Sequence, residues 1–139
     1  MKKAVAVKKN KNYIYAIRVM SALFLLAAVF IAAALWENSV YAILLCGIFL
    51  FPVLVLEIYC ETWQISFGEK IVVKTFLFSH TYEWRELSET QKFYSLSSNG
   101  ERIVMIFKNG KSISFTGNDE NAEKAEKIIL IHCNIKTQT

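Results

Sequence analysis

Apolar residues run almost without interruption through the first part of the chain and alternate with polar ones through the rest. Residues 13–36 (YIYAIRVMSALFLLAAVFIAAALW) contain one charge, Arg18, and residues 40–59 (VYAILLCGIFLFPVLVLEIY) contain one, Glu57. About 20 mostly apolar residues cross roughly 30 Å of hydrocarbon, so each stretch predicts a membrane-spanning helix. Only Glu37, Asn38 and Ser39 separate them, which predicts an antiparallel hairpin over residues 13–59. As core helices of a soluble protein the pair would leave too few polar faces for 139 residues. A secretory signal competes for the first stretch, and Ala32–Ala34 imitates a cleavage site. However, its 24 residues exceed the usual apolar core of a signal, and a second span follows at once.

After Cys60 the period falls to two. Trp63, Ile65 and Phe67 alternate with Thr62, Gln64 and Ser66, the mark of a half-buried strand. Gly68–Glu69 punctuates a turn, Lys70–Leu77 reads as a second strand, and Thr81–Leu87 as a third with Tyr82 and Trp84 on one face. Gln91–Leu96 is a fourth. Asn99–Gly100 and Asn109–Gly110 each suit a two-residue type I′ turn, which needs positive φ at both central positions. They bracket Arg102–Lys108 and lead into Ser112–Phe115. Asn118 or Asp119 then caps a helix with Glu120 and Glu123 in its first turn. Ala125, Ile128, Ile129 and His132 form its apolar stripe.

The pattern thus predicts a two-span α-helical hairpin followed by a mainly-β module of about six antiparallel strands, with a C-terminal helix covering one opening of the sheet. The division is a basic N-terminus at 1–12, the hairpin at 13–59 and the module at 61–139.

Charge adds a direction. Lys2, Lys3, Lys8, Lys9, Lys11 and Arg18 precede any acid, whereas ten basic and ten acidic residues balance from Glu61 onward. The pI near 9.0 therefore belongs to the first eighteen residues. A nucleic-acid-binding module would carry its excess on the folded part, so nucleic acid is excluded as a partner. Basic residues flank the cytoplasmic side of spans, which places both termini in the cytoplasm and the hairpin tip outside, in a multi-pass inner-membrane protein. The five lysines serve topology or contact anionic headgroups. Arg18 lies 20 residues before Asn38 and Glu57 lies 19 after it, so an antiparallel hairpin brings both to one depth. They either pair there or snorkel separately. Ala28 and Ala32, with Ala42 and Cys46, offer small residues for close helix contact, and Pro52 is expected to loosen span two.

Catalytic chemistry is not evident. Cys46, Cys60 and Cys133 are too dispersed for a disulfide framework, and His80, His132 and Cys133 lack metal-ligand spacing. Neither a phosphate loop nor a nucleophile elbow occurs. Glu83, Glu86 and Glu89 read as solvated positions. No enzyme, metal, cofactor or small-molecule substrate is expected.

The order of two spans, the Trp63–Ile65 strand, the Lys70–Leu77 strand, Tyr82, Trp84 and Leu87, and the Ala125–Ile129 stripe resembles bacterial membrane-anchored proteins with a pleckstrin-homology-like domain, including the YcxB-like group. The resemblance covers residues 40–133. It implies a PH-like module of six or seven strands and a non-enzymatic role in interaction or assembly, with a homo-oligomer or another membrane-associated protein as partner beside the lipid bilayer. Recognition of phosphorylated headgroups needs convergent Lys and Arg, whereas the first hairpin offers Lys70 and Lys74 offset by Glu69. Anionic-lipid sensing through the Lys-rich start is the alternative.

Overall fold

The computed structural model describes residues 3–96 and 100–137; Lys2 and Asn99, both singled out above, lie outside them. The chain forms two compact units.

One unit is Lys11–Thr62, the helical hairpin. Helix α1 (Lys11–Ala34) and helix α2 (Ser39–Thr62) are joined through a short 3-10 turn at Trp36–Asn38. Both are long and apolar enough to cross a membrane. Within them only Ile17, Ala28, Ala42 and Cys60 are buried among the described residues, while Phe30 and Phe51 stand 74% and 70% exposed. Large apolar side chains thus face outward along both helices rather than into a core of the described residues. The helix α2 runs through Pro52 without a break.

The other unit joins the chain up to Asn10 with everything from Trp63 onward. This corrects the expected division. The basic start is not a separate tail, because Val5–Lys8 forms strand β1, paired antiparallel with β2 (Gln64–Phe67) in the register Val5↔Phe67 to Lys8↔Gln64. Val5 and Val7 supply the apolar face that the pairing buries, and Val7 is fully buried. The helical hairpin is therefore an insertion between two neighbouring strands. Strands β3 (Ile71–Lys74) and β4 (Ser79–Tyr82) complete a four-stranded sheet in the order β1-β2-β3-β4.

A second sheet has the order β7-β6-β5-β8, built from β5 (Leu87–Ser95), β6 (Gly100–Phe107), β7 (Ser112–Thr116) and β8 (Ile135–Thr137). Helix α3 (Ala122–His132) precedes β8, which pairs parallel with β5. The described strands thus number eight rather than six or seven. The two additions, β1 and β8, are short and sit among lysines, where polar residues hide the period.

One core serves both sheets and α3. Val7, Ile65, Phe67 and Ile71 from the first sheet meet Ile103, Met105, Phe107 and Phe115 from the second, with Ala125 and Ile129 of α3 closing over them. Tyr82 stacks on Phe107 at 4.2 Å between ring centroids, and Phe67 tilts onto Phe115 at 5.7 Å. Such aromatic pairs add about 0.5–1.5 kcal/mol beyond area burial.

Three local expectations change. The third strand ends at Tyr82, and Trp84–Glu86 turns as a 3-10 segment with the Glu83 amide donating to Glu86 Oε2 at 2.7 Å. Asn109–Gly110 does not form a type I′ turn. Only Gly110 has positive φ, at 80°, and the Phe107 amide donates to the Lys111 carbonyl across a three-residue loop, as in a type I turn followed by a left-handed glycine. Finally, α3 starts later than Asn118 or Asp119 would cap it. Asn121, with φ 63°, precedes it, and its side-chain amide donates instead to the Ala6 carbonyl of β1.

Candidate functional site

Within the hairpin the two charges do approach. Arg18 Nε lies 3.9 Å from Glu57 Oε1, yet its closer partner is Glu61, one helical turn further along α2, whose Oε1 accepts from Nε at 3.1 Å and also from Nη2. Equal depth brings Arg18 within ion-pair distance of Glu57, and Glu61, four residues on and on the same helix face, comes closer still. Small residues meet as their spacing suggests: Ala28 and Ala42 are buried, and the Cys46 thiol donates to the Ala28 carbonyl at 3.3 Å.

In the module, β1 carries the lysines. Lys8 ends the strand, its amide and carbonyl bonded to Glu120 at 3.3 and 2.9 Å, so β1 is stitched both to β2 and to the corner before α3. The buried carboxylate of Asp119 tightens that corner by accepting from the amides of Thr116 at 2.9 Å and Asn10 at 3.4 Å. Lys9 lies over the Trp63 ring, 4.0 Å from its centroid, a cation–π contact. Lys3 and Lys8 share an open surface cleft of about 390 Å³ with Lys124 and a single acid, Glu120. Lys11 opens α1. Among the described lysines of the basic start, Lys8 and Lys9 are tied to the module's framework, and Lys3 and Lys8 line the cleft.

Other charged groups are structural. Lys92 of β5, largely covered, bridges Glu101 of β6 and Glu126 of α3 at 2.8 Å each. The hydrogen bond that Lys92 donates to Glu101, then the one it donates to Glu126, raises its pKa above the ordinary lysine value. Glu89 is held below the usual carboxylate range, chiefly by a hydrogen bond from Gln91 and then by Lys136. Trp84 donates to the Gly68 carbonyl at 2.9 Å and stacks on His132 at 4.0 Å, locking the β2–β3 turn to the end of α3. Among the described residues, no three His, Cys, Asp or Glu side chains gather as a metal site would require.

The features open to a partner are strand edges. β4 is the terminal strand of its sheet, and Ser79, His80 and Thr81 are exposed. Because Thr75 and Phe78 exchange both backbone hydrogen bonds, alternation of the ladder turns the Val73↔His80 bonds inward and leaves the Ser79 and Thr81 amides directed away from β3.

Comparison with protein-family models, with curated proteins and with solved structures finds no match for this chain.

Proposed function

We propose that the protein is a membrane-anchored, non-enzymatic interaction module, held in the inner membrane by two spans with both termini cytoplasmic, and that its PH-like β module binds a second copy or a protein partner. The observation that carries this reading is the β4 edge: among the described residues, β4 has a neighbouring strand on one side only, which leaves the other side for strand addition. The pairing of β1 with β2 supports an even number of crossings, since both ends of the hairpin must emerge on one side for the strands to meet. Seven antiparallel strands ahead of one helix support the PH-like reading.

Light scattering on the detergent-solubilised full chain tests it. The expected result is a discrete oligomer that Thr81→Pro returns to monomer, because proline removes an outward donor without touching the β3 ladder. A monomeric parent chain would reject self-association, and an oligomer indifferent to Thr81→Pro would move the contact to the spans.

The second reading, anionic-lipid sensing, is favoured by the groove of Lys3, Lys8 and Lys124. At roughly 1 kcal/mol per lysine near an anionic surface, it predicts binding that high salt weakens strongly.

A further inference from the structure

The β3–β4 connection is built from residues that turns ordinarily avoid. Thr75 and Phe78 exchange hydrogen bonds at 2.8 and 3.2 Å, which closes a two-residue loop with Phe76 and Leu77 at its centre. Such positions favour glycine, asparagine and aspartate. Neither Phe76 nor Leu77 has positive φ. Phe76, Leu77 and Phe78 stand 46%, 72% and 66% exposed, so three large apolar side chains project together from one tip. Neither turn geometry nor core packing accounts for them.

The place of this tip in the sheet supplies the reason. The pairings Lys8↔Gln64, Gln64↔Lys74 and Lys74↔Ser79 form one row across β1 to β4. Two residues separate Lys8 from the start of α1, and one separates the end of α2 from Gln64. The Phe76–Leu77–Phe78 tip therefore extends from the same end of the sheet as both connections to the hairpin. The row itself includes exposed Lys8 and Lys74, while Glu69 and the β2–β3 turn lie at the opposite end.

We infer that the β3–β4 tip is a third membrane contact, inserting Phe76, Leu77 and Phe78 into the interfacial layer of the leaflet from which the two helices emerge. Aromatic and aliphatic side chains flanked by lysine suit the headgroup–acyl boundary, where the rings leave water and the ammonium groups stay wet. Two short tethers keep the tip near that boundary, so insertion needs little further loss of freedom. The inference rests on the two-span reading.

Full-length protein with Cys46→Ala, Cys60→Ala and Cys133→Ser, checked for native circular dichroism, would carry a single added cysteine labelled with an environment-sensitive NBD dye. The added cysteine would be Leu77→Cys, Glu69→Cys or Leu26→Cys. Each sample would be reconstituted in phosphatidylcholine–phosphatidylglycerol vesicles, with and without lipid bearing a nitroxide on the upper acyl chain. The expected result is blue-shifted emission at position 77 that nitroxide lipid largely quenches, water-like unquenched emission at 69, and an apolar environment at 26. An unquenched label at 77 with an apolar one at 26 overturns the inference and leaves the spans standing. Blue-shifted but unquenched emission at 77 overturns it in favour of a protein contact. Water-like emission at both 77 and 26 overturns the inference and the two-span reading together.

Discussion

The hairpin and the module are both rich in large apolar side chains and treat them in opposite ways. In the hairpin, small residues take the helix–helix contact while leucine and phenylalanine point outward. In the module, Phe67, Phe107 and Phe115 are almost fully buried. Each region is stable only in the solvent that its surface implies, and apolar content alone does not distinguish them. Position relative to small residues and to the period of two does.

Identical substitutions make the contrast measurable. Phe67→Ala should cost about 3–5 kcal/mol in chemical unfolding of the module followed by tryptophan emission, the usual range for a phenylalanine removed from a core. Phe51→Ala, on the outward face of α2, should leave that transition unmoved. Comparable losses at both sites would mean that the helix surface is packed against protein.

Charges divide in the same way. Lys92 is largely covered and makes two short bonds, so Glu126→Gln should cost about 1–2 kcal/mol, read as a lower thermal midpoint. Because the folded-state pKa of Lys92 is raised, its contribution is complete below the unfolded lysine value near 10.4 and is lost as pH climbs through the raised one. Glu89 has the opposite sign. Its lowered pKa contributes above roughly pH 4.3 and fails as pH falls through the folded value. A pH–stability profile should therefore drop at both ends, and Lys92→Met should remove the alkaline part of the fall.

The smallest effect belongs to the hairpin's cluster. Arg18 is more than half exposed beside Glu57 and Glu61. Arg18→Ala should shift the hairpin's stability less than the core and Lys92 substitutions above, and Arg18→Glu with Glu61→Arg should restore it better than a swap with Glu57. A larger rescue through Glu57 would reverse the order of partners given by the distances.

Much of this was legible in advance, for physical reasons that particular residues show. The spans follow from length and lack of charge, and the strands around Ile65, Ile103 and Phe115 follow from alternation against one buried face. Strand β1 was obscured because Val5 and Val7 alternate for only four residues inside a lysine-rich segment, where charge suggests topology before structure. The β6–β7 turn departs from type I′ because Asn-Gly permits two geometries, and loop length decides between them. The bridges of Lys92 join three elements distant in sequence, and no local pattern announces such a meeting.

The helical hairpin is inserted between β1 and β2, so the module needs residues from both sides of it. The most direct measurement compares chemical unfolding of two soluble chains. One has residues 1–10 joined to 63–139 by a short Gly-Ser loop in place of the hairpin, and the other is residues 63–139 alone. The joined chain should unfold cooperatively as a folded module, while the shorter one, without Val7 in the core and without the ladder to β2, should lack a cooperative transition or lose most of its stability. Equal stability of the two chains would contradict the claim.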